Sequence, residues 1–223
     1  MSATTNGAPI RVLVAGGARG VGRACAEALA SQGAELILCD VDGIALTDAG
    51  QRLGAFTRYC DAVEELSVSI FAAEIAEKFT SIDVLINAAG RGYVRALSMM
   101  RLARTFMPLL RRGSARRLLV NIAPAGGYVA SRGMFPYASS LSAFERLSEA
   151  LAEQVRGTSI EVATVVPRLV RGPHANAGDS VGLYQLQRVD GQHTAARIAE
   201  MILGADRGLG DQEDDRGTAF RGR

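Results

Sequence analysis

Among the 25 basic side chains only one, Lys78, is a lysine; the rest are arginine. Any reaction that needs a lysine beside its proton donor therefore has a single residue to draw on. Cysteine is scarce too. Cys25, Cys39 and Cys60 fall on helix and strand patterns without C-x-x-C spacing. They read as buried free thiols in a reducing compartment, and the spacing argues against a metal site. The two histidines, His174 and His193, are isolated on expected loops. Neither stands at a recognisable spacing from a Ser or Cys nucleophile, which argues against a hydrolase triad. No apolar run comes near the roughly twenty residues that a membrane helix requires. Met1–Pro9 lacks both the basic start and the apolar core of a secretory leader. The expected location is the cytoplasm, with no membrane partner. A net charge of +2 is too mild to point to nucleic acid.

What the sequence does have is a glycine-rich turn and a regular alternation. In Arg11-Val12-Leu13-Val14-Ala15-Gly16-Gly17-Ala18-Arg19-Gly20-Val21-Gly22 an apolar run breaks into glycines and continues as a helical pattern. Strand, tight turn and helix follow one another. Glycines at 16, 20 and 22 let the chain turn sharply and let its backbone approach a pyrophosphate at the helix N-terminus. Strands are expected at 12–15, 35–39, 55–59, 84–87, 117–122 and 161–166. Helices are expected at 21–32, 44–53, 63–79, 97–110, 137–156 and 194–203. This order predicts an α/β fold: a Rossmann-like, doubly wound parallel sheet in a three-layer α/β/α sandwich. Residues 1–203 read as one dinucleotide-binding domain. The Gly-, Asp- and Arg-rich tail 204–223 reads as flexible. Within it Gly217-Thr218-Ala219-Phe220 is at most a stub of strand.

From about residue 9 to 203 the chain resembles the short-chain dehydrogenase/reductase family. Ala15-Gly16-Gly17-Ala18-Arg19-Gly20-Val21-Gly22 is similar to its T-G-x-x-x-G-x-G loop, with Ala for Thr. Cys60-Asp61 resembles the adenine-side Asp after the third strand. Asp83-Val84-Leu85-Ile86-Asn87-Ala88-Ala89-Gly90 resembles D-x-L-x-N-N-A-G, with Ala88 for the second Asn. The resemblance implies a nicotinamide cofactor held by Gly16, Arg19, Gly20, Val21, Gly22, Asp40, Asp61, Asn87, Ala88, Ala89 and Gly90. Asp40 closes the second strand, where a carboxylate accepts from ribose hydroxyls and repels a 2′-phosphate, so the cofactor is expected to be NAD(H). Arg19 is a counter-signal, since a base in the glycine loop can meet that phosphate.

The reactive half of the family pattern is mostly replaced. Tyr137 opens a helix where the family carries its proton-transferring Tyr, but the lysine position one turn on is Leu141. Without that charge nothing there lowers the phenol's pKa. The active Ser position is Pro124, which offers neither hydroxyl nor N–H; Ser131 is the one nearby stand-in. The stretch from Gly90 to Arg117 is shorter than the family's, and the catalytic Asn position falls near Arg95. In Pro167-Arg168-Leu169-Val170-Arg171-Gly172, the family's nicotinamide-side Gly and Thr become Arg168 and Gly172.

The resemblance with these replacements implies a pseudoenzyme: an NAD-dependent oxidoreductase subunit, non-catalytic by itself, in a hetero-oligomeric dimer or tetramer with an intact homologue. The stripe Leu141, Phe144, Leu147, Leu151 and Val155 is the candidate partner face, with core packing as the competing reading. Alternatives are an autonomous NAD(H)-dependent enzyme with a site rearranged around Tyr137 and an arginine, and a dinucleotide sensor or scaffold. Arg91, Arg95, Arg101, Arg104, Arg111, Arg112, Arg116 and Arg117 read as a solvated face, or as a dock for an acidic partner or a small-molecule substrate such as an acyl-CoA.

Overall fold

The computed structural model describes residues 4–5, 8–90, 94–114, 116–123, 135–167, 169–171, 187–204, 212–213 and 219–222. In chain order the elements are β1 (Thr4–Thr5), β2 (Ala8–Pro9), β3 (Arg11–Ala15), α1 (Gly20–Ala30), β4 (Glu35–Asp40), α2 (Gly43–Leu53), β5 (Phe56–Tyr59) and α3 (Glu65–Lys78). Then follow β6 (Val84–Asn87), α4 (Arg95–Leu110), β7 (Arg117–Ile122), α5 (Phe135–Gln154), β8 (Ile160–Val166), β9 (Leu169–Arg171), β10 (Gln187–Val189), α6 (Gly191–Ile202), β11 (Gln212–Glu213) and β12 (Ala219–Gly222). The six expected strands are all present, each within a residue of its predicted ends.

Strands β3, β6 and β7 are buried nearly from end to end, as strands covered on both faces must be. The main sheet runs β11-β12-β8-β7-β6-β3-β4-β5. Its six strands from β8 to β5 are parallel. Alternate side chains feed two cores. Leu13, Ile37, Leu85 and Leu119 meet Phe71, Phe106 and Phe144 of α3, α4 and α5. Val12, Leu38, Ile86 and Val120 meet Ala26, Leu29 and Ile198 of α1 and α6. The result is the expected doubly wound, three-layer sandwich.

Several expectations need correction. The apolar stripe of α5 is spent on the chain's own core: Phe144, Leu151 and Val155 are buried in the layer with α3 and α4. The side chain of Leu141 lies outside the described residues. His193 sits in the first turn of α6, not on a loop, and its N–H donates to Asp190 Oδ1 at 3.0 Å as part of that helix's cap. His174 lies outside the described residues. From the tail, Ala219–Gly222 pairs antiparallel with β8 over four residues, and Gln212–Glu213 pairs on its outer side, so the tail extends the sheet by two strands.

The run of arginines is dispersed rather than a single basic face. Arg116 donates to Glu161 Oε2 at 2.7 Å and to the Met201 carbonyl at 2.8 Å. Arg117 donates to the Gly113 carbonyl at 2.8 Å. Arg101 donates to the Val63 carbonyl, and Arg104 lies 3.4 Å from Glu65. Arg91 lies outside the described residues.

Between β5 at the sheet edge and β6 beside β3, the chain reverses its direction of travel across the sheet. A doubly wound sheet opens a crevice at such a point, beyond the carboxyl ends of its strands.

Candidate functional site

The crevice is a cleft of about 480 Å³. Groups appear along it in strand order: Pro167 after β8, Ile122 and Ala123 at β7, Ala88–Gly90 after β6, the glycine loop after β3, Asp40–Asp42 after β4, and Cys60–Val63 after β5.

The glycine loop is built by close contact. Gly16 turns with φ +80°, and both Gly16 and Gly17 donate their N–H to the Cys39 carbonyl, at 2.8 and 3.2 Å. A Cβ on Gly16 would lie 2.8 Å from the Ala88 carbonyl carbon, and one on Gly22 would lie 2.1 Å from the Gly16 carbonyl oxygen. The loop and α1 can lie this close only without side chains there. Gly20, by contrast, has φ +57° and open space around it. The residue before it, Arg19, is extended and makes no side-chain cap on α1. The first N–H groups of α1 therefore face the cleft without a side-chain acceptor from the cap residue. Such a helix end can hold a phosphate or pyrophosphate.

On the β4–β5 side stand three carboxylates. Asp40 Oδ2 accepts from the Ala18 N–H at 3.0 Å, and its Oδ1 accepts from the Asp42 N–H at 3.1 Å. It organises the glycine loop from below, and each oxygen keeps a lone pair for another donor. Asp42 caps α2, accepting from the Ala45 N–H at 3.0 Å, and meets Arg19 Nε at 2.6 Å. The Ala45 N–H, then Arg19, hold its carboxyl below the usual range. Asp61 Oδ1 accepts from the Val63 N–H at 2.9 Å, while its own N–H donates to Ser67 Oγ at 2.9 Å.

The β6–β8 side is apolar apart from one cation. Val94, Ile122, Ala123 and Pro167 line it together with Arg95, whose Nη1 donates to the Ile122 carbonyl at 3.2 Å. The structure thus sets a guanidinium beside the carboxyl end of β7. Tyr137 lies on α5 with its side chain outside the described residues, and Pro124, Ser131, Arg168 and Gly172 lie outside them altogether.

Of the residues predicted for cofactor contact, Gly16, Arg19, Gly20, Val21, Gly22, Asp40, Asp61, Ala88, Ala89 and Gly90 all line the cleft. Asn87 does not. It is buried, and its Nδ2 donates to Asn121 Oδ1 at 2.8 Å; Asn121 donates in turn to Ser148 Oγ at 3.2 Å. Asn87 ties β6 to β7 under the site. Sequence reasoning missed Asp42 and Cys60. The signal for Asp42 was the D-x-D-G run at a helix start, which marks an N-cap.

Comparison with known proteins bears on the same residues. The model of the short chain dehydrogenase family matches residues 11–180. A rhamnolipid-biosynthesis 3-oxoacyl-[acyl-carrier-protein] reductase of Pseudomonas aeruginosa is 28% identical over 181 residues, covering 70% of each protein. Among solved structures, a short-chain dehydrogenase from Streptomyces avermitilis superposes with TM-score 0.71 at 27% identity, over 88% of this chain and 84% of its own. A metagenomic short-chain oxidoreductase in complex with NADP superposes with TM-score 0.73 at 22% identity, over 89% of this chain and 92% of its own. With the glycine loop, the strand order and the family model in agreement, this chain belongs to the short-chain dehydrogenase family.

Proposed function

We propose that the chain binds NAD(H) in the cleft and acts as a non-catalytic subunit of an alcohol/ketone oxidoreductase complex with an intact relative. The observation that carries this reading is the asymmetry of the cleft. The adenosine half is fully furnished: a helix N-terminus without a side-chain cap for the pyrophosphate, and Asp40, Asp42 and Asp61 for ribose and adenine. At the other end the sequence puts Pro124 and Leu141 where the family has Ser and Lys. The described residues lining that end offer no proton-transferring side chain, only Arg95 among apolar groups. When bound, the cofactor supplies hydride chemistry; the chain's own residues supply binding.

The Arg19–Asp42 pair supports NAD(H) over NADP(H), because the loop cation is already engaged by a carboxylate. A surface available to a partner is the groove between α4 and α5, where Met100, Pro108 and Leu147 present apolar surface beside Arg104 and Arg111. Calorimetry with NADH and NADPH tests the first part of the reading. Tighter NADPH binding overturns the ranking. Light scattering on the chain alone and co-expressed with an intact relative tests the second; a monomer in both leaves a sensor or scaffold. A second reading, an autonomous enzyme pairing Tyr137 with an arginine, draws on Arg95 at the reactive end, since a permanent cation can stabilise a tyrosinate. NADH turnover by the isolated chain, lost in both Tyr137→Phe and Arg95→Gln, would favour it.

A further inference from the structure

The charges of the cleft are sorted by end. Among the described residues that line it, the three carboxylates stand on the β4–β5 side, where Arg19 is paired with Asp42. On the β6–β8 side the charged lining residue is Arg95, half-buried at the start of α4. Its position is fixed at both ends. A Cβ on Gly90 would lie 2.9 Å from Arg95 Cα, so the turn after β6 packs directly on its backbone. Its guanidinium donates to the Ile122 carbonyl at 3.2 Å. A carbonyl engages one of five N–H donors and neutralises none of the charge. The rest of that wall is Ala89, Val94, Ile122, Ala123 and Pro167. Beside apolar groups a charge acts more strongly than in water.

Arg95 also breaks a local rule. It is the first residue of α4, a helix of 16 residues with no acid in its first turn and no side-chain cap from Val94. A cation there opposes the helix dipole. Rules of this kind are broken where a site requires it. The anion that would match Arg95 is not the cofactor's pyrophosphate. Ala15, Asn87 and Asn121 stand side by side across β3, β6 and β7. Two strand spacings, about 10 Å, therefore separate the end of β3, which leads into the glycine loop, from the end of β7 that holds the guanidinium.

We propose that Arg95 binds the carboxylate of a second ligand, a short apolar carboxylic acid, at the β7 end of the cleft. One guanidinium matches one carboxylate through two parallel N–H···O bonds. The apolar wall beside it matches a hydrocarbon body. A phosphate, with more oxygens to satisfy, would call for further donor side chains, and the described residues lining this wall include none besides Arg95. The inference rests on the reading under Proposed function only in leaving the adenosine half to the dinucleotide; the acid site is made by this chain's own residues. It gives the reactive end a ligand to hold, with binding and no turnover.

The test is calorimetry on the full chain, with and without NADH. The probes are butanoate, 3-methylbutanoate and hexanoate, each paired with its neutral amide. The best acid should bind about tenfold more tightly than its amide, the scale of a hydrogen bond to a charged group. Arg95→Gln should bring the acid down to the amide. Arg95→Lys keeps the charge without the planar fork and should narrow the preference. Acid and amide of equal affinity for the wild type, or binding of neither, overturns the proposal. So does a preference undiminished in either variant that circular dichroism shows to be folded. Inorganic phosphate that displaces the acid at equal concentration overturns the carboxylate as the ligand class. A chain that prefers the acid but binds no NADH keeps the acid site and sinks the reading under Proposed function; NADH binding without an acid preference does the reverse.

Discussion

Two residues of the glycine loop separate steric necessity from conformational preference. A methyl group on Gly22 would stand 2.1 Å from the Gly16 carbonyl oxygen, a backbone atom held in a positive-φ turn. Gly22→Ala should therefore lower stability by about 1–3 kcal/mol. Gly20→Ala meets open space, so only the left-handed backbone opposes it, at about 1–2 kcal/mol. Urea titration should rank Gly22→Ala below Gly20→Ala in midpoint; the reverse order would mean that the loop relaxes. Asp42 is the other instructive residue. Asp42→Asn keeps an oxygen to cap α2 but releases Arg19. NADPH binding should strengthen relative to NADH, and more so at low salt. Unchanged discrimination would show that Arg19 does not reach a 2′-phosphate. Asp40 and Arg19 were both legible from the sequence, which ranked Asp40 first; the ion pair of Arg19 with Asp42 was not, because the spacing of Asp42 announces only a helix cap.

At the scale of elements, strands and helices follow from periodicity where they feed a core. Hence β3, β4, β6 and β7, continuous apolar runs, were read within a residue of their ends. The stripe on α5 was equally visible, but periodicity cannot say which surface a stripe meets; here it meets the chain's own sheet. Strand β12 was hidden for the opposite reason. Its pairing with β8 is made by main-chain groups, which composition does not record, so a polar tail reads as mobile. Helix α1 carries a buried prediction of its own. Burial pushes the Cys25 thiol up to about 12, so the folded state favours the protonated form. The stability this contributes is complete below the ordinary thiol pKa and is lost as pH rises above about 9 toward 12. Cys25→Ala should flatten the alkaline limb of a stability curve measured by denaturant titration at stepped pH. An unchanged alkaline limb would place the titrating group elsewhere.

On the scale of the whole molecule, the fold is that of a short-chain dehydrogenase, and the proposed loss of its chemistry is tested by restoring the groups that the resemblance implies are replaced. Proton transfer by a positioned side chain is worth roughly a hundred- to ten-thousand-fold, and groups that act as a unit do not contribute singly. Leu141→Lys alone would leave Tyr137 with a cation but no hydroxyl to orient a carbonyl. Pro124→Ser alone would leave an oriented carbonyl with an unactivated phenol. The expected outcome is that the isolated chain and each single variant reduce a ketone panel with NADH at or near background. The double variant Pro124→Ser/Leu141→Lys should rise above it, and Tyr137→Phe in that background should abolish the gain. NADH calorimetry on every variant separates lost chemistry from lost binding. Turnover of about one per second or faster by the unmodified chain, abolished by Tyr137→Phe, would overturn the non-catalytic reading: the guanidinium of Arg95 at the end of β7 would then have to be counted among the catalytic groups.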